Sequence, residues 1–369
     1  SGSGASTRFA AGADPRLRPD GTRYGAFTIG VGSDNRPDEA NASDPSRCVV
    51  PFDRWPSALN PPSGFVLTAN NDLGGLSLDG SLANDEYYLG GPWAPGYRAK
   101  TIHDGLAARV TAKDGTIEAM ASLQADHVSH VGLELVPYLR QAVLDARGLA
   151  SPTTPEETRL RALYTSDSAS IDDALGRLDA WATRGANAAS GVETFYDAPT
   201  ADDRADAIAT MIWNAWFRAF NAGVFDDEGI ADVLALDPRF MRITSLRRFL
   251  AGRGPGNPQG LASYEPTRGE SVFFDDLRTP AFVESSREIV LRSLVEALAF
   301  LRSAPDGLGG GGFGSSDPST WLWGLRHTVA FRSILIASAG DVMGLDILGN
   351  ATKIGTARLP LAPGLPASD

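Results

Sequence analysis

Between residues 98 and 222 the apolar side chains recur at three- and four-residue intervals, and this period limits what the chain can fold into. The clearest case is 201–222, where Ile208, Met211, Ile212, Ala215, Trp216 and Ala219 share one stripe. That is the pattern of a helix with one buried face. The same spacing predicts helices over 98–110, 116–128, 133–146 (with Gly148 as its C-cap), 170–183 and 279–303. The run Thr153-Thr154-Pro155-Glu156-Glu157 predicts another helix start, because Pro suits the first turn and acids suit the positive end of the helix dipole. A helical majority follows directly.

The flanks read differently. Residues 1–48 are rich in Gly, Asp, Pro and Ser and predict loops with a short strand near 26–31. Gly64-Phe65-Val66-Leu67-Thr68, between Asn60-Pro61-Pro62-Ser63 and Asn70-Asn71-Asp72, predicts a buried strand. Residues 307–316 predict a flexible Gly-rich loop, and 321–336 end in an apolar, strand-like run. The expectation is an α+β protein in three parts: a β-rich part at 1–97, a mainly helical segment at 98–306, and a Gly-rich loop returning to the core over 307–369. There is no internal repeat and no heptad pattern.

Composition narrows the function. The chain of 369 residues is 43% hydrophobic and 21% charged, enough for a substantial core. A net charge of -12 argues against nucleic acid, whose binding requires a basic face, and against an anionic membrane surface. No run approaches the roughly 20 apolar residues of a membrane span. The lone cysteine, Cys48, permits neither an internal disulfide nor a Cys-based zinc site. It reads as a buried thiol rather than a nucleophile.

Several motifs, taken in order, resemble the penicillin acylase family of N-terminal nucleophile hydrolases. They begin with Asp14-Pro15-Arg16-Leu17 and Gly21-Thr22, then Val50-Pro51-Phe52-Asp53-Arg54-Trp55-Pro56 and the stretch from Asn60 to Asn71. Leu89-Gly90-Gly91-Pro92-Trp93, Gly96-Tyr97-Arg98-Ala99 and Leu123-Gln124-Ala125-Asp126 with Ser129 follow. Phe273-Phe274-Asp275-Asp276, Glu284-Ser285 and Trp321-Leu322-Trp323-Gly324 with His327 complete the set. The resemblance implies part of an αββα sandwich with a large helical segment. It also implies hydrolysis of a linear amide, of the penicillin, cephalosporin or acyl-homoserine lactone type, in the periplasm or outside the cell.

The resemblance assigns roles to four residues. Asn70 is expected to be the oxyanion-hole donor, since amide hydrolysis passes through a tetrahedral oxyanion that a fixed N–H can stabilise. The alternative is that Asn70-Asn71-Asp72 is a plain turn whose side chains bond their own backbone. Arg98 is expected to organise the active site. The alternative is a surface arginine, although a helix start is an unfavourable place for a cation without a partner. Asp85 and the carbonyl of Pro15 are candidate ligands of a structural calcium, with Glu86 competing for the first role. No cofactor is expected for catalysis.

The chain also departs from the family. The family nucleophile is an N-terminal Ser freed by self-cleavage, with its own α-amine as base. It lies far upstream of the Asp-Pro-Arg loop, and Ser1 lacks the residues that normally follow it. Residues 24–47 read as an insertion. The chain therefore reads as an internal piece of the β subunit, inactive alone, whose partners are the α chain, the N-terminal part of the β chain and an acyl-amide substrate. Two rival readings stand beside this one: a non-catalytic binding module with an acylase-like fold, and a metal-dependent hydrolase using His127 and His130 at helical spacing. His103 and His327 stand alone in sequence. The glycines at 309–312 do not form a phosphate loop, because no Lys-Ser/Thr follows them.

Overall fold

The computed structural model describes residues 57–72, 93–193, 198–229, 238–306, 311–332 and 356–360. Chain contacts divide it into two compact units, one of residues 1–115 and 228–251, the other of 116–227 and 252–369. Eight α-helices and four short strands lie in the described residues. None of these helices is long and apolar enough to cross a membrane.

In the first unit, α1 (Tyr97–Ala112) has no buried residue, and α7 (Pro238–Ala251) buries Leu246, Phe249 and Leu250. Residues 64–69 form no strand. The expected sheet strand is corrected here. A segment becomes a strand only through ladder hydrogen bonds, and this one has no such partner among the described residues. It lies along α1 instead. Gly64 packs on Val110, Phe65 meets His103 edge-on at 5.5 Å between ring centres, and Arg98 reaches the carbonyl of Ala69.

The second unit is a helical body. Helix α6 (Ala201–Phe225) packs most extensively on α8 (Ser286–Arg302) and also on α5 (Ser168–Thr183). Helices α3 (His130–Gly148) and α4 (Pro155–Ser166) pack on α8, while α2 (Ile117–Gln124) buries nothing. The stripe read from sequence is the core face of α6. Trp216 stacks on Phe220 at 5.1 Å and meets Trp213 at 5.1 Å in a tilted contact, and Trp181 of α5 lies 6.2 Å from Trp213. Buried Trp216 donates its indole N–H to the carbonyl of Val290, so even the polar edge of this core is satisfied across the α6–α8 contact.

Helix starts follow their caps. Thr154 and Glu157 form a capping box at α4, Thr200 and Asp203 one at α6, and Ser285 and Glu288 one at α8. The last corrects the expected start of that helix from 279 to Ser286, because the cap lies beyond Pro280. The predicted 116–128 helix also stops early, at Gln124. The small β elements are two antiparallel pairs, β1 (Tyr264–Glu265) with β2 (Glu270–Ser271) and β3 (Thr328–Arg332) with β4 (Thr356–Pro360).

The described part of the Gly-rich loop is pinned rather than free. Phe313 N–H donates to Leu301 O at 2.8 Å and Gly314 N–H to Ser303 O at 2.8 Å, closing the C-terminus of α8. A Cβ on Gly312 would stand 2.2 Å from the Phe300 carbonyl, so only glycine fits there.

Four buried carboxylates surround the first turn of α8: Glu270, Asp276, Glu284 and Glu288. Glu288 accepts from Arg159 Nε at 2.6 Å and Nη2 at 3.1 Å, and from Ser285 N at 3.0 Å. Asp276 accepts from Arg278 Nε at 2.7 Å and Arg292 Nη2 at 2.8 Å. Glu284 accepts from Thr279 Oγ1 at 2.7 Å and Arg292 Nη1 at 3.2 Å. Glu270 accepts from the backbone N–H of Ser286 at 3.1 Å.

Removing one partner strands a buried charge. Arg159→Ala, which leaves buried Glu288 without its arginine, should therefore destabilise the protein by about 3–5 kcal/mol. Ser285→Ala, which loses the cap and a hydrogen bond to Glu156 but strands no charge, should cost less, about 1 kcal/mol. Denaturant midpoints of the two variants would rank them, and equal losses would contradict this account. A pH prediction comes from Asp276, whose carboxyl is held below its ordinary value chiefly by the hydrogen bond from Arg278, with Arg292 adding to it. Its stabilising contribution is complete above the ordinary carboxylate value and disappears as pH falls through the depressed one. Asp276→Asn should be less stable at neutral pH and lose less further stability on acidification, measured by urea titration across the acid range.

Candidate active site

Residues 64–70 and α1 run antiparallel, with Gly64 near Val110 and Asn70 near Arg98. Arg98 stands in the first turn of α1, so its pairing with Asn70 places that residue at the helix N-terminus.

Four interactions fix Asn70 there. Arg98 Nη2 donates to Ala69 O at 2.8 Å and also to Asn70 Oδ1. Ala94 N–H donates to the carbonyl of Asn70 at 2.8 Å. Asn71 Oδ1 accepts from Ala69 N–H at 3.0 Å. Asn70 itself has φ of 60°, the left-handed region that Asn tolerates better than most residues. Ala69 is buried, while the side chains of Asn70 and Arg98 face outward.

The two asparagines of the turn are used differently. Asn71 bonds its own backbone, as a turn residue does. Asn70 does not, and its amide is oriented by Arg98. A guanidinium only donates, so the amide oxygen must face it and the Nδ2 group must face away. Nδ2 has no partner among the described residues. The arginine at the helix start also has its specific partner, since α1 begins at Tyr97 and its N-cap, Gly96, offers no side chain.

The other candidates fall elsewhere. Pro15, Asp85, Glu86, Ser1 and Cys48 lie outside the described residues. His127 precedes α3 and His130 opens it, so the two do not share a helix face as their spacing suggested. His127 Nδ1 lies 2.8 Å from Ala125 O. No group of three or more His, Cys, Asp or Glu residues able to hold a metal occurs among the described residues. His103 is on α1 against Phe65, and His327 stacks on Trp323 at 4.7 Å. Burial lowers the pKa of His327 and favours its neutral form. Sequence reasoning missed the roles of Asn71 and Ala94 in holding Asn70. The doubled Asn was a usable signal for the first, whereas a backbone N–H gives none.

The site is an outward-facing amide donor, set by an arginine at the start of a helix, which is an arrangement suited to amide hydrolysis. The family model described as Penicillin amidase matches residues 4–360, and the chain belongs to that family of amidohydrolases. No curated protein and no solved structure shows significant similarity to it.

The left-handed turn gives a direct test. Asn70→Gly should keep the turn, whereas Asn70→Val should strain it by about 1–2 kcal/mol. Amide exchange at Ala94, whose N–H bonds Asn70 O, should stay slow in the first variant and accelerate in the second. Equal protection in both would remove the argument that this conformation is built around Asn.

Proposed function

We propose that the chain is part of an acylase that hydrolyses a linear amide, with Asn70 Nδ2 as the oxyanion donor and Arg98 as the residue that positions it. The observation that carries this reading is the pairing of Arg98 with Asn70 Oδ1, which turns the amide N–H groups outward. Membership of the family supports the reaction class. The open N-terminus of α1 adds positive potential beside the same point.

In this scheme the nucleophile is the N-terminal Ser used by the family. Its hydroxyl oxygen bonds to the substrate carbonyl carbon and its proton passes to the free α-amine, directly or through water. The carbonyl π electrons move onto oxygen, which Asn70 Nδ2 stabilises. Collapse of the intermediate breaks the C–N bond. The departing amine takes the proton, and water then releases the acyl group as its carboxylate. Substrates are acyl amines of the β-lactam side-chain or acyl-homoserine lactone type. The surrounding architecture in this reading is the αββα sandwich with its helical insertion. Calcium binding by Asp85 and the Pro15 carbonyl rests on the resemblance alone.

Asn70→Asp separates donation from structure. Asp accepts from Arg98 as Asn does and keeps the turn, but its carboxylate has no hydrogen to give. In the processed enzyme kcat should fall by about 10²–10³, roughly 2.7–4 kcal/mol of transition-state stabilisation, with thermal stability little changed. Turnover near that of the unsubstituted enzyme would refute the oxyanion role.

A further inference from the structure

A cavity of about 390 Å³ opens between α4, the loop before α8 and the first turns of α8. It lies wholly in the second unit and shares no residue with the Asn70 site. Its volume falls within the range of small-molecule sites. Ala162, Leu163 and Phe282 supply its apolar wall, and Arg159, Glu284, Glu288 and Arg292 its polar floor.

The floor is electrically balanced, with two guanidinium groups against two carboxylates. It is unequally satisfied. Both oxygens of Glu288 are taken by Arg159, and one also accepts from Ser285 N. Glu284 accepts from Thr279, Arg292 and the Asp276 backbone. These carboxylates are only 3% and 4% exposed, so an incoming cation finds no free acceptor. Arg159 differs. Its Nε and Nη2 are engaged, but Nη1 donates to nothing among the described residues, and the side chain is 26% exposed. The guanidinium carbon also sits 4.1 Å from the centre of the Phe282 ring, a cation–π contact that places the group over an aromatic face.

A ligand here must therefore bring an acceptor, an apolar body and no positive charge. A negative charge is disfavoured too, because it would be placed beside Glu284 and Glu288 and would compete for the arginines that neutralise them. We infer that this cavity is a second binding site for small uncharged molecules of the aryl-amide type, with the carbonyl oxygen on Arg159 and the ring between Leu163 and Phe282.

Benzamide, benzoate and benzamidine test this, being nearly identical in shape and neutral, anionic and cationic in turn. Ligand-observed NMR titration of the full chain should give saturable binding of benzamide with Kd on the order of 1 mM, as a small fragment allows. Benzoate and benzamidine should each bind at least about tenfold more weakly. Ala162→Trp fills the cavity from an exposed position of α4, and Phe282→Ala removes the partly exposed ring. Either variant, with its thermal unfolding unchanged, should weaken benzamide by at least about tenfold, whereas Asn70→Ala should leave it unaltered. The inference is overturned if benzamide does not saturate, if either charged analogue binds as well, or if binding survives both cavity variants. Loss of binding in Asn70→Ala would assign the ligand to the other site and overturn it equally.

Discussion

The helical body depends on how four carboxylates are kept in a place where water is largely excluded. Glu270, Asp276, Glu284 and Glu288 are each at most 7% exposed and converge on the start of α8. Isolated ionised carboxylates could not remain there. They remain because arginines from three directions meet them: Arg159 from α4, Arg268 and Arg278 from the turns before α8, and Arg292 from α8 itself. The helix dipole helps, since the free N–H groups of Ser285 and Ser286 point into the cluster. The packing of α8 on α4 and on the turns before it is therefore fixed in register by polar contacts that tolerate little displacement. Such a network is weak evidence for net stability, because desolvation offsets much of the attraction, but a lost arginine leaves a buried carboxylate unpaired.

This explains several motifs that first drew attention as family signatures. Phe273-Phe274-Asp275-Asp276 and Glu284-Ser285 supply the cluster and the α8 cap. Trp321 is buried with its indole N–H on Ser315 O at 3.0 Å, and Gly324 passes so close to Ser190 that a Cβ would stand 2.8 Å from its carbonyl. These residues position helices and loops. The segment ending at Asn70 and the start of α1 are different, because their polar groups converge on an exposed side chain rather than on a core.

What the sequence made legible follows from range. Helices set by a local period and a local start signal were readable: the α6 stripe, Pro155 with its following acids and the arginine at the start of α1 all declare themselves within a few residues. The strand expected at 64–68 was misread, because nothing in five residues says whether they pair with a strand or lie on a helix. The buried network was unreadable for the same reason. Arg159 and Glu288 lie far apart in sequence, and each alone looks like a surface charge of an amphipathic helix. The orientation of Asn70 needed Arg98, which the family resemblance named without giving the contact between them.

The pairing also bears on why an amide, rather than the nearby cation, would face an oxyanion. A helix N-terminus at an exposed position contributes about 0.3–1 kcal/mol to a neighbouring negative charge. A fixed hydrogen-bond donor in an oxyanion hole contributes about 2.7–4 kcal/mol. The dipole of α1 is therefore too weak to do the work by itself. Arg98 could supply charge, but Nη2 is already committed to Ala69 O and Asn70 Oδ1, and withdrawing it would release the turn that it holds. A long flexible side chain must also lose more freedom to become a precise donor than a short amide already fixed at both ends. The proposed role therefore falls to Asn70, whose Nδ2 has no partner among the described residues, while the arginine orients it.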